Sequence, residues 1–452
     1  MPFSLRRLSL GLVTATAVLA ASARAEAATL IRDAEIEETV HQITDPVFEA
    51  AGLDVEAIDV YLLRDPVLNA FVSGGQNLFI NTGLIQRTTD PAQLRGVVAH
   101  ETGHIAGGHL ARAVGARETA MVQTLLGAAL GLAAALAGAP QLGTAIIAGG
   151  ATVGQRGLLA FSRTQEQAAD QAAVTYLGRI GESPEGLKEF FDTLERQNLR
   201  ISGTGGNVYL RTHPLTQDRI LFMEDQVERS PYRGKPLPPE LIEAHKRMVA
   251  KLDGFMLEPA QAERLHPSDS VADRYARAIA LYRTPDLPAA LKAIDELIAL
   301  EPQNPWFYEL KGQMLFENGK LAEAVGPYRD ALRYRPSSAL LRLGLARALM
   351  EQTNPAGVEE AASLLAEAAR LEPRNPTMWR FLGIAEGKLG REGASAMALA
   401  EGAILAGNKT DAQLYVRRAQ QFVTADDPDW IRLQDQLRAV EELPDPQPRR
   451  RT

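Results

Sequence analysis

Apolar and polar positions change rhythm several times along this chain. From Glu35 to Ala51 the apolar residues recur at helical spacing, whereas Val60 to Leu63 and Leu78 to Ile80 are short apolar runs bounded by turn residues and predict strands. Gln93 to Gly115 is a long helical pattern that carries His100, His104 and His109. A further helical stretch opens at Ser162. Ser230 to Pro239 is rich in proline and has the composition of a linker. It leads into a helix from Leu241 to Leu252, after which the character of the chain changes.

From about residue 270 the pattern repeats itself. Glu301-Pro302-Gln303-Asn304-Pro305 returns as Glu372-Pro373-Arg374-Asn375-Pro376. Pro336 lies 34 residues after Pro302 and Pro373 lies 37 after Pro336, the extra three fitting an insertion at Asn354 to Gly357. Gly312, Ala324, Tyr328 and Ala331 place small and large residues where two antiparallel helices press together. Ala346, Ala361, Leu365 and Ala368 do the same in the next unit, and Trp379, Leu382 and Gly383 begin a fourth. This resembles a tetratricopeptide array of about four units over 271–409, closed by a helix starting near Pro428. Such arrays bury their apolar face by stacking and leave a concave surface free for a peptide or a partner protein.

Composition adds an address. Arg6 and Arg7 precede an apolar stretch, Leu8 to Ala21, and then Ala23-Arg24-Ala25, the parts of a secretory signal peptide expected to be cleaved after Ala25, with Ala27 as the rival site. The apolar stretch is shorter than the roughly 20 residues of a spanning helix. The chain has no cysteine, which excludes both disulfides and a lipoprotein anchor. Loss of the leader removes three arginines and takes the net charge from −8 to −11, a balance that argues against a nucleic-acid partner. The chain is therefore expected to be exported.

The chemistry begins at His100-Glu101-Thr102-Gly103-His104. Residues four apart share one helix face, so both imidazoles can hold one metal ion. Neutral imidazole suits Zn²⁺, and a catalytic zinc keeps one position for water. Glu101 is the adjacent carboxylate that would take the proton of that water. A metzincin would need a third histidine at position 110, which is Leu; His109 is one residue early. The third ligand is therefore expected from a carboxylate on a second helix. In Ser162-Arg163-Thr164-Gln165-Glu166-Gln167-Ala168-Ala169-Asp170, Glu166 and Asp170 share a face. Glu166 is the candidate ligand, and Asp170 the acceptor for the free ring N–H of a ligand histidine.

Several motifs occur in one order. Asn69-Ala70-Phe71, Gly74-Gly75 and Asn81-Thr82-Gly83-Leu84 come first, then the His-Glu-x-x-His helix, then Ser162 to Asp170, then His213-Pro214 with Arg219-Ile220. The chain resembles the HtpX-type zinc metallopeptidases, and more narrowly their exported members with trailing tetratricopeptide units. That resemblance implies His100, His104 and Glu166 as ligands of one zinc ion and Glu101 as catalytic base. It also implies His213 as a switch that caps the zinc at rest, helped by a Gly-rich stretch, Ser202 to Gly206. A histidine packed beside the site, or one stabilising the oxyanion, is the other reading. Arg219 is either an oxyanion or substrate contact or the partner of an acid such as Asp170. The segment Leu78 to Ile80 resembles the family's edge strand, which would hold an extended substrate by main-chain hydrogen bonds.

Thr119 to Gln155 carries no charge. A single membrane crossing there would part His100 from Glu166, so a hairpin beside the cleft, with peripheral membrane contact as a second role, is expected. The fold class expected is mainly α with a small β-sheet, a zincin-like metalloprotease domain followed by an α-solenoid. The expected ranges are 1–25 signal peptide, 26–262 peptidase, 263–423 repeats, and 424–452 capping helix with a basic tail. The resemblance implies a zinc endopeptidase of the periplasm acting on unfolded or misassembled outer-membrane proteins, with the repeats meeting the barrel-assembly machinery. The alternative is a repeat-based chaperone or adaptor with a largely silent metal site.

Overall fold

The computed structural model describes residues 29–74, 76–109, 111–113, 162–200, 208–352 and 354–445, without the side chains of 198–200. The expected signal peptide, the uncharged stretch 119–155, the glycines of 202–206 and the basic tail lie outside the described residues. Among the described residues no helix is long and apolar enough to cross a membrane. The chain divides into two compact units. One comprises Met1–Arg32, Asp45–Thr88 and Ala92–Lys235; the other Asp33–Thr44, Thr89–Pro91 and Pro236–Thr452.

Among the described residues the first unit has a four-stranded sheet, β1 (Thr29–Ile31), β2 (Val60–Arg64), β3 (Ala70–Ser73) and β4 (Asn77–Asn81), in the order β1-β2-β4-β3. β4 runs parallel to β2, with Val60 opposite Leu78, and antiparallel to β3, with Ala70 opposite Ile80. The strand expected at the sheet's edge is thus an interior one. Both flanks of β4 are spent on neighbours, its Leu78 and Ile80 are fully buried, and the outer strands are β1 and β3. The Asn81-Thr82-Gly83 motif turns the chain out of the sheet. Asn81 Nδ2 donates to the Val67 carbonyl at 3.1 Å, and a Cβ at Gly83 would stand 2.2 Å from the Pro66 oxygen.

Helix α1 (Ala34–Ala50) precedes β2, and the short α2 (Thr82–Ile85) follows β4. Helix α3 (Pro91–Ala106) then buries Leu94, Val97 and Val98 at i, i+3 and i+4. It ends earlier than the expected Gly115. Gly107 and Gly108 form a turn, with φ +61° at Gly108, before the chain regains helical form at His109. Helix α4 spans 162–179, α5 Glu185–Arg200, α6 Val208–Thr212 and α7 Gln217–Arg229. Ala169, Ala173, Phe190, Phe191 and Met223 complete this core. Gly103 is what lets α3 and α4 meet closely: a Cβ there would lie 2.9 Å from Ala169 Cα and its carbonyl oxygen.

The second unit is a stack of antiparallel helices. After α8 (Pro239–Met256) and α9 (Pro259–Leu265) come α10 (Val271–Tyr282), α11 (Leu287–Leu300), α12 (Pro305–Glu317), α13 (Leu321–Tyr334), α14 (Ala339–Met350) and α15 (Pro355–Leu371). They are followed by α16 (Pro376–Lys388), α17 (Glu392–Leu405), α18 (Lys409–Ala419) and α19 (Trp430–Glu442). The recurring Glu-Pro-x-Asn-Pro sequence is a helix start. Asn304 and Asn375 each accept the N–H two residues on, and each donates back to Glu301 or Glu372. Proline occupies the first helical position, where its missing N–H costs nothing. Tyr328 is the large residue that the small ones accommodate. A Cβ on Gly312 would stand 2.9 Å from its ring, and one on Gly344 2.8 Å. Helix α8 packs on α10 and goes with this unit, as do Asp33 and Glu35, which surround the buried Lys251 together with Glu309.

Candidate metal centre

Four helices of the first unit deliver the site. His100, Glu101 and His104 come from α3, and Glu166 and Asp170 from the first turns of α4. His213 stands just after α6, its N–H bonded to the Tyr209 carbonyl at 2.7 Å. Arg219 stands in the first turn of α7, whose N-cap is Thr216. All of these except His104 are buried.

His100, His104, Glu166 and His213 each offer an atom to a cluster in which those atoms lie within 4.8 Å of one another. His100 Nε2 is 3.1 Å from His104 Nε2, 3.4 Å from His213 Nδ1 and 3.4 Å from Glu166 Oε2. Glu166 Oε1 lies 3.5 Å from His104 Nε2 and 3.3 Å from His213 Nδ1. A tetrahedral ion with arms of about 2.0–2.1 Å separates its ligand atoms by roughly 3.3–3.4 Å, so the spacing fits one small divalent metal ion. The donor chemistry agrees. His100 Nδ1 lies 2.9 Å from Asp170 Oδ1, which can only accept, so its Nε2 is left to face the cluster. Glu101 Oε1 has no hydrogen bond; its neighbour is His213 Nε2 at 3.5 Å.

Arg219 clamps the carboxylates from behind. Its Nε and Nη2 donate to Asp170 at 2.6 and 2.8 Å, and its Nη1 reaches the Pro214 carbonyl at 3.0 Å and Glu166 Oε2 at 2.9 Å. Of the two roles expected for Arg219, these contacts satisfy the ion pair with Asp170. The guanidinium also lies over the Phe191 ring.

The protein's own charges set the protonation of the cluster. Burial pulls His100 down, but hydrogen bonds and charge from Asp170 and Glu166 outweigh it and hold it up at about 9. Burial, and then the charge on His100, push His104 down to about 2. Glu166 lies well below the usual carboxylate range: burial raises it, but His100 and His213 prevail. Asp170 is lowered in the same way by Arg219 and His100. Burial lifts Glu101, against His213 and His100. His100 thus holds its proton where a cation would sit, and a metal would take the place of that proton.

Two residues not assigned a role in the sequence stand against these. His109 Nδ1 is 2.9 Å from His104 Nδ1, and the Tyr209 ring stacks on His213 at 4.7 Å. The Gly-Gly pair before His109, and an aromatic one helical turn before His213, were the available signals. A cavity of about 360 Å³, lined by Ser162, Arg163, Gln167, Pro214, Thr216 and Asp218, reaches Glu166 and Arg219.

Comparison with known proteins agrees with both halves of the chain. The family model described as Peptidase family M48 matches residues 33–227, and the tetratricopeptide repeat model matches 275–339 and 309–357. A β-barrel assembly-enhancing protease of Yersinia pestis is 27% identical, over 78% of this chain and 72% of its own length. The protein of that name in Escherichia coli is 26% identical, over 84% and 78%. A mitochondrial metalloendopeptidase of Schizosaccharomyces pombe is 25% identical over 41% of this chain and 51% of its own.

Proposed function

Since the chain is a metalloendopeptidase made of a family M48 peptidase domain and tetratricopeptide repeats, we propose that it is a periplasmic zinc enzyme that cleaves unfolded or misassembled outer-membrane proteins. The observation that carries this reading is the convergence of His100, His104 and Glu166 on one point, with the Glu101 carboxylate beside it. The outer-membrane role is supported by the relatives named β-barrel assembly-enhancing protease, and the location by the leader pattern of residues 1–25.

Bound there by His100, His104 and Glu166, Zn²⁺ would act as a Lewis acid toward water and the scissile carbonyl. Glu101 takes the proton of the attacking water and passes it to the leaving nitrogen. Burial without a hydrogen bond at Oε1 keeps that carboxylate free for the task. Asp170 holds the His100 tautomer, and Arg219 holds Asp170. His213 Nδ1 occupies the fourth corner of the cluster, so the resting enzyme is closed and productive substrate binding moves this side chain aside. An extended substrate pairs with an outer strand of the sheet rather than with β4. The repeats dock the barrel-assembly machinery.

The deciding experiment is Glu101→Gln. The variant should bind one zinc ion per chain and fail to cleave an unfolded outer-membrane barrel protein; unchanged cleavage overturns the assignment.

A further inference from the structure

His109 contributes no atom to the metal cluster, yet the chain is bent to bring it there. Helix α3 stops at Ala106, the Gly107 and Gly108 N–H groups close onto Gly103 and Ile105, and Gly108 takes a left-handed conformation. A Cβ on Gly107 would stand 2.5 Å from His109 Nε2 and 2.8 Å from its Cδ2, so glycine is what leaves room for the returning ring. Gln165, from the first turn of α4, donates to the His109 carbonyl at 3.3 Å and secures the backbone. The ring ends up buried, edge-on to His104, with the centroids 4.9 Å apart and the planes at 78°.

The nitrogens then leave one consistent arrangement. His104 must present an Nε2 lone pair to the ion, so its proton is on Nδ1. That N–H faces His109 Nδ1 at 2.9 Å, which must accept, and the His109 proton is on Nε2. We propose that His109 is a positioning residue of the metal site, fixing the tautomer and ring plane of His104 as Asp170 fixes those of His100. The two ligands are therefore held unequally. A carboxylate makes His100 the more basic ligand, while a neutral imidazole leaves His104 the weaker one. This inference rests on the metal reading above.

The test compares full-length His109→Leu, which removes the acceptor, with His109→Asn, which restores one. The readouts are zinc affinity by chelator competition and the visible spectrum of the cobalt-loaded protein. Loss of the acceptor should weaken zinc binding about 10–100-fold and shift the cobalt bands, and Asn should recover most of both. Wild-type affinity and spectrum in His109→Leu would overturn the role, and so would a loss in His109→Asn as deep as in Leu. Should the leucine variant not fold, His109→Ala against His109→Asn makes the same comparison. Failure of the unsubstituted chain to bind one zinc ion would instead remove the metal reading itself.

Discussion

His100 Nδ1 lies 2.9 Å from Asp170 Oδ1, and both side chains are wholly buried. Asp170 in turn is held by Arg219, so a metal-facing imidazole is fixed by a carboxylate that is itself neutralised. Asp170→Asn keeps the shape but removes the charge that both partners need. Zinc affinity should fall about 10–100-fold. Stability should drop by roughly 1–3 kcal/mol, because Arg219 loses one of its two buried carboxylate partners and keeps Glu166. Metal titration and urea unfolding of the same preparation check both.

His213 is stacked on Tyr209 with its Nδ1 within 3.3–3.4 Å of Glu166 and His100. If it closes the resting site, His213→Ala should raise cleavage of an unfolded barrel protein. The gain would be about tenfold if the open conformer makes up about a tenth of the wild-type population. Equal or lower activity would favour packing or oxyanion stabilisation instead.

Gly103 sits against the Ala169 backbone, where a methyl group would be 2.9 Å from Cα and oxygen. Gly103→Ala should push α4 away from α3, costing about 1–3 kcal/mol. It should also weaken metal binding, since Glu166 and Asp170 ride on α4. Thermal unfolding and a zinc titration measure the two effects, and unchanged values for both would contradict the close approach.

In the second unit His266 lies between two carboxylates, Nε2 2.9 Å from Asp253 and Nδ1 3.0 Å from Asp273. The Asp253 hydrogen bond leads in raising His266 above its ordinary 6.5, against burial. The folded protein therefore holds this proton more tightly than the unfolded chain. The stabilisation is fully present below 6.5 and fades as pH rises through the higher folded value. Asp273 is lowered, against burial, by Ser268 and His266, so its share is lost at the acid end. Urea unfolding should show a fall in stability as pH rises above 6.5 that is absent in His266→Gln.

What the sequence determined alone were the features set by short-range geometry. The i, i+4 spacing puts His100 with His104 and Glu166 with Asp170 on single helix faces, because 3.6 residues make one turn. The Glu-Pro-x-Asn-Pro repeats mark helix starts because cap and proline act within a few residues, and repeat packing follows from neighbours in the stack. Tertiary structure decided what depends on distant partners. The place of β4 was unreadable because either flank of an apolar strand can pair, and β3, which covers it, is a short run without strong alternation. His109 was one residue out of register for a ligand until the Gly107-Gly108 turn, with Gln165 of α4 holding the His109 carbonyl, folded it back onto His104. His213 lies 113 residues from His100 in sequence. Only the packing of α6 beside α3 and α4 makes its ring nitrogen the fourth corner of the cluster, since loop closure over that length carries no local signal.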